Sequence, residues 1–123
     1  MKFCWVTINV KDFDRSMEFY TKVVGLTVDK TMNPGPNMKI AFLGAGETKV
    51  ELIWDLARVE RDYGRDVSIG FEVESMEQIL AHLNSMGVKV DSGPHQPNPT
   101  VKFLYVLDPN GLHVQFVENV KRP

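Results

Sequence analysis

The chain has 123 residues, 43% of them hydrophobic and 24% charged, a balance that suits one globular domain able to bury a core without disulfides or structural metals. Its net charge of −2 comes from acids and bases scattered along the sequence without a long like-charge block, which argues against nucleic-acid and membrane-surface binding. No window approaches the roughly 20 apolar residues of a membrane span, and the first residues lack a continuous apolar signal region, so the expectation is a cytoplasmic protein. Cys4, the single cysteine, cannot form an internal bridge, and its place in an apolar alternating run reads as a small buried hydrophobe.

In chain order, FCWVTINV from Phe3 to Val10 is rich in β-branched and aromatic residues and predicts a strand. Asp12 or Asp14 can cap a helix running to about Val24, with Phe13, Met17, Tyr20 and Val24 as its buried stripe and Gly25 as its stop. Strands are expected at Leu26 to about Thr31, Lys39 to Leu43 and Lys49 to Trp54, separated by the turn sequences MNPGPN and GAGE. After a charged connection over residues 55–66, the order begins again with a strand from Val67 to Val73. Ser75 and Gln78 form a capping box before a helix whose stripe is Met76, Ile79, Leu80 and Leu83, ending before Gly87. Strands follow at Val88 to Asp91, Val101 to Leu107 and Leu112 to Val117, with SGPHQPNP read as a loop and Asp108-Pro109-Asn110-Gly111 as a turn.

The result is βαβββ twice, an α+β chain with a first module over about residues 1–54, a linker over 55–66 and a second module over 67–120. Nearly equal spans separate Val10 from Gly25 and Val73 from Gly87, and the glycines open GLTV and GVKV, which favours a true duplication. The last strands then match as VELI, Val50 to Ile53, and VQFV, Val114 to Val117.

Strand alternation sorts these residues by face. Cys4, Val6, Ile8 and Val10 form the apolar set expected to meet the helices, which leaves Phe3, Trp5, Thr7 and Asn9 on the other face. In the second half Val67, Ile69, Phe71 and Val73 go to the helix side and Ser68, Gly70 and Glu72 opposite. The closing strands leave Lys49, Glu51 and Ile53, and His113, Gln115 and Val117, on the helix-free side. Trp5 and Ser68 thus fall at equivalent positions, as do Glu51 and Gln115. Polar side chains on a strand face are commonly no more than a solvated surface, and Glu51 alone reads that way. A tryptophan among Phe3, Thr7 and Asn9 instead suggests a face that meets something: a ligand, the other half or a second subunit. Phe103 and Tyr105 share one strand face, whose direction alternation alone leaves open.

VKDFDRSMEFY followed by VVGL, and later DPNGLHVQFVE, resemble the two signatures of the vicinal oxygen chelate superfamily, which includes glyoxalase I, bleomycin-resistance proteins and extradiol dioxygenases. The resemblance runs from Phe3 to Glu118. It implies paired βαβββ modules forming a curved mixed sheet with a U-shaped cleft and the helices outside, usually in a homodimer, and it hosts many reactions on one scaffold. Metal enzymes of this kind carry four cleft ligands, typically His and Glu, and those positions fall here on Trp5, Glu51, Ser68 and Gln115. Indole offers no lone pair and a serine hydroxyl is a poor neutral ligand, so Glu51 and Gln115 would hold at most a loosely bound divalent ion (Ni, Zn, Co, Mn or Fe), with His113 as a third candidate. His113 otherwise reads as an exposed strand-end histidine, and His82 and His95 have no partners in this register.

Two functions follow. One is a metal-free binding module for a small planar or apolar molecule, with Phe3, Trp5, Thr7, Phe103 and Tyr105 contacting it and Glu51, Ser68 and Gln115 bonding its polar groups. The other is a metal-dependent lyase or isomerase of the glyoxalase or epimerase type, with Glu51 as ligand or general base. A third reading takes the apolar face simply as a dimer surface.

Overall fold

The computed structural model describes residues 1–119. The chain divides into two compact units, the first Met1–Asp62 and the second from Tyr63 onward. The first contains β1 (Trp5–Asn9), α1 (Phe13–Glu18) continued by a π-helical turn (Phe19–Val23), β2 (Val28–Gly35), β3 (Met38–Leu43) and β4 (Lys49–Asp55). The second contains β5 (Ser68–Val73), α2 (Met76–Ser85), β6 (Val90–Asn98), β7 (Val101–Leu107) and β8 (His113–Asn119). Each is a βαβββ module with one four-stranded mixed sheet, ordered β1-β4-β3-β2 in the first and β5-β8-β7-β6 in the second. The crossover through each helix makes β1 and β4, and likewise β5 and β8, parallel, whereas the hairpin-linked strands are antiparallel. Val120, the expected last residue of the second module, lies outside the described residues.

Both helices begin at the expected caps. The Asp12 side chain accepts from Arg15 N, and Ser75 accepts from Gln78 N. Gly25 and Gly87 adopt φ of +89° and +70°, left-handed conformations that let the chain leave each helix without a Cβ penalty. The first helix does not continue as regular α-helix to Val24. Val24 N bonds Phe19 O, while the Thr21 hydroxyl donates to Met17 O at 2.6 Å, so the second turn is wider. That rotation places Ser16, Phe19, Tyr20 and Val23 in the core, with Phe13, Met17 and Val24 only half-buried.

The helix-facing side of the first sheet buries Ile8, Val10, Ala41, Leu43, Val50 and Leu52. In the second, Leu104, Val106, Val114 and Phe116 are buried, and α2 adds Met76, Ile79 and Leu83. The expected helix-side sets fail at their first members. Cys4 is exposed and Val67 is 60% exposed, because each precedes its strand, which begins at Trp5 or Ser68.

Two segments read as turn and loop are strands. β2 runs through Met32, Asn33 and Pro34 to Gly35, and β6 runs through most of SGPHQPNP, each pairing in a bulged, irregular register. At Gly93 a Cβ would stand 3.0 Å from Phe103 O and 3.1 Å from Leu104 Cα, so the bulge admits only a residue without a side chain.

Candidate functional site

On the helix-free face of the first sheet, β1 and β4 set Thr7 beside Glu51 and Trp5 beside Lys49. The Thr7 hydroxyl donates to Glu51 Oε1 at 2.6 Å, which fixes a half-buried carboxylate on this face. Phe42, the β3 partner of Glu51, is buried, and Trp5 packs edge-on against its ring with centroids 5.3 Å apart. Lys30 Nζ lies 5.0 Å from the centroid of the same ring. Trp5 nonetheless keeps 48% of its surface exposed, so one side of the indole is available for contact. Phe3 precedes β1, is 68% exposed and has no ring contact with Trp5 among those found in the described residues.

The corresponding face of the second sheet is more elaborate. Ser68 pairs with His113 and Gly70 with Gln115 across β5 and β8. Tyr105 on β7 pairs with Gln115, and Phe103 pairs with Val117 on one side and His95 on the other. The direction left open for Phe103 and Tyr105 is therefore the helix-free one. Gln115 Nε2 donates to the Tyr105 hydroxyl at 3.2 Å. Four rings follow one another across the sheet, His95 to Phe103 at 5.2 Å, Phe103 to Tyr105 at 5.8 Å and Tyr105 to His113 at 6.3 Å between centroids.

Both histidines differ from their expected roles. His113 is half-buried with Nε2 3.4 Å from Asp91 Oδ2, and His95 takes part in the ring row and shares a 2.7 Å hydrogen bond with Ser92. Neither showed in the sequence, because β6, which carries Asp91, Ser92 and His95, reads there as a loop. Beside Tyr105 and His113 lies a recess of ≈ 340 Å³, bounded also by Arg65, Ser68, Asp91 and Ser92, a volume within the range of small-molecule pockets.

The donor set fits a resident divalent metal poorly. Of the four positions where the superfamily resemblance puts ligands, Trp5 offers no donor atom and Ser68 only a neutral hydroxyl, which leaves one carboxylate, Glu51, and one amide oxygen, that of Gln115, too few strong donors for a tightly held ion. Among the described residues no three His, Cys, Asp or Glu side chains gather as a metal-holding group.

Comparison with known proteins agrees with this architecture. A lactoylglutathione lyase of Escherichia coli O157:H7 is 31% identical over 128 aligned positions, covering 96% of this chain and 93% of the relative. Glyoxalase I of Leishmania major shares the fold with a TM-score of 0.80 at 23% identity, covering 96% of this chain and 86% of that one. An antibiotic-binding protein from Streptomyces sp. CB03234 shares it with a TM-score of 0.73 at 17% identity, covering 97% and 96%. Residues 2–116 match the family profile of the Glyoxalase/Bleomycin resistance protein/Dioxygenase superfamily, and the chain belongs to that family.

Proposed function

We propose that the protein binds a small planar or apolar molecule on a helix-free sheet face and does so without a tightly held metal. The observation that carries this reading is chemical. On the superfamily resemblance Trp5 and Ser68 fall at two of the four ligand positions of the metal enzymes, and neither an indole nor a neutral hydroxyl is a strong ligand, while Glu51 at a third is held by Thr7 at 2.6 Å. Exposed Trp5 beside Thr7 and Glu51 in the first unit, and half-buried Phe103 and Tyr105 beside Gln115 in the second, each combine aromatic surface with fixed polar groups, the composition of a small-molecule site. The superfamily scaffold serves enzymes and binders alike, as the glyoxalase and the antibiotic-binding protein of the same fold illustrate, so the side chains rather than the fold must decide.

The test is a calorimetric titration of untagged protein with Ni²⁺, Zn²⁺, Co²⁺ and Mn²⁺, paired with a screen of planar compounds read by tryptophan fluorescence. The expected outcome is no stoichiometric metal binding, together with quenching by planar compounds that disappears in Trp5→Leu. The names of the relatives favour a second reading, a lyase acting on a glutathione-derived substrate with Glu51 as ligand or base. Metal bound at micromolar affinity and lost in Glu51→Ala, with turnover lost in Glu51→Gln, would establish that reading and overturn the first. For either one we take the working unit to be a homodimer, which sedimentation velocity would detect as a species of twice the chain mass.

A further inference from the structure

The two modules treat their equivalent polar residues differently. In the first, Thr7 stands opposite Glu51 and its hydroxyl saturates one carboxylate oxygen. In the second, the residue opposite Gln115 is Gly70, which has no side chain to donate. The Gln115 amide therefore turns its nitrogen to the Tyr105 hydroxyl, and its oxygen lies over Gly70, 3.2 Å from the point a Cβ would occupy and with nothing else within 4 Å of that point. Gln115 Oε1 has no hydrogen-bond donor among the described residues. The Tyr105 oxygen, having accepted from Gln115, keeps its own proton to give. A free acceptor and a free donor thus stand side by side, flanked by the rings of Phe103 and His113 and next to the ≈ 340 Å³ recess.

From this arrangement we infer that the second module selects a neutral, planar aromatic ligand whose edge carries a hydrogen-bond donor next to an acceptor, the pattern of a ring-fused lactam. The ligand's N–H meets Gln115 Oε1, its carbonyl receives the Tyr105 proton, and its ring lies against the aromatic row. Gly70 is the specificity-determining residue, because its missing side chain leaves room for Gln115 Oε1 and gives it no protein donor. The two polar partners, an amide and a phenol hydroxyl, are neutral hydrogen-bonding groups, which suits a neutral ligand edge. At the recess Arg65 is outnumbered by Asp66 and Asp91, with Asp91 facing His113, so there is no surplus of positive charge to draw an anion. The inference rests on the binding reading above and adds the ligand's chemical class.

The experiment is a ¹H–¹⁵N titration of the full chain with quinolin-2(1H)-one, with N-methylquinolin-2-one, which lacks the donor, and with piperidin-2-one, which lacks the aromatic ring. Quinolinone is expected to shift amides of β5, β7 and β8 and to bind about tenfold more tightly than the N-methyl compound, the range of one hydrogen bond, and about tenfold more tightly than piperidin-2-one, the range of one aromatic contact. Tyr105→Phe keeps the ring and removes the donor, and Gly70→Ala displaces Gln115 Oε1. Each should weaken quinolinone about five- to tenfold and bring its affinity toward that of the N-methyl compound. Circular dichroism confirms that both variants are folded before they are compared. Equal affinity for quinolinone and its N-methyl derivative would overturn the inference, as would quinolinone binding unmoved by both variants. If quinolinone fails while other planar compounds still quench Trp5, the lactam class falls and the binding reading stands. If no planar compound binds at all, both fall.

Discussion

Asp108 shows how much a single side chain can organise. Its carboxylate, 5% exposed, accepts from Asn110 N at 2.8 Å, Leu112 N at 2.9 Å and Asn110 Nδ2 at 3.0 Å, which closes the turn that delivers His113 and Gln115 onto β8. Asp108→Ala would strand these donors away from water, and a loss of about 2–4 kcal/mol in urea-unfolding free energy is expected, with Asp108→Asn recovering part of it. The turn was legible in the sequence as Asp-Pro-Asn-Gly, because those residues carry their own local hydrogen-bonding logic. The candidate site was legible only in part. Alternation alone marked Trp5, Thr7, Glu51, Ser68 and Gln115 as residues of the helix-free faces. It could not show that Thr7 bonds Glu51 or that Gln115 lies over Gly70, since both depend on which strands are neighbours.

At the scale of elements, helix ends were readable and irregular strands were not. Asp12 and Ser75 act as caps through side-chain contacts that span three residues, a distance that sequence spacing reports directly. Ser75→Ala is accordingly expected to cost about 1 kcal/mol, seen as a lowered denaturation midpoint with an unchanged m-value. β6 contains Pro94 and Pro97 and pairs with β7 through repeated register shifts, so its composition signals a loop while its partner strand holds it extended. That misreading also concealed Asp91, Ser92 and His95, the β6 side chains around the ring row. The π-helical turn after α1 escaped for a related reason: the pattern of apolar residues is nearly the same for both helix types, and the Thr21 hydroxyl bond to Met17 O is a three-dimensional fact.

At the scale of the whole molecule, each module carries its own core, with Leu43 and Leu52 fully buried in one and Leu104 and Phe116 in the other. Leu104→Ala should cost about 2–5 kcal/mol, measurable by urea unfolding, because a rigid sheet-and-helix layer closes poorly around the resulting void. By itself the sequence determined that the chain is a repeated βαβββ unit, where its helices start, and, apart from Cys4 and Val67, which strand residues face the helices. All of these follow from short-range periodicity and from capping chemistry that acts within a few residues. Only the tertiary structure decided that β1 lies beside β4 and β5 beside β8, and with that pairing the contacts of Thr7 with Glu51 and of Gln115 with Tyr105. Those residues are far apart along the chain, and side chains distant in sequence become chemical partners only through strand register, which is set by the packing of the whole sheet.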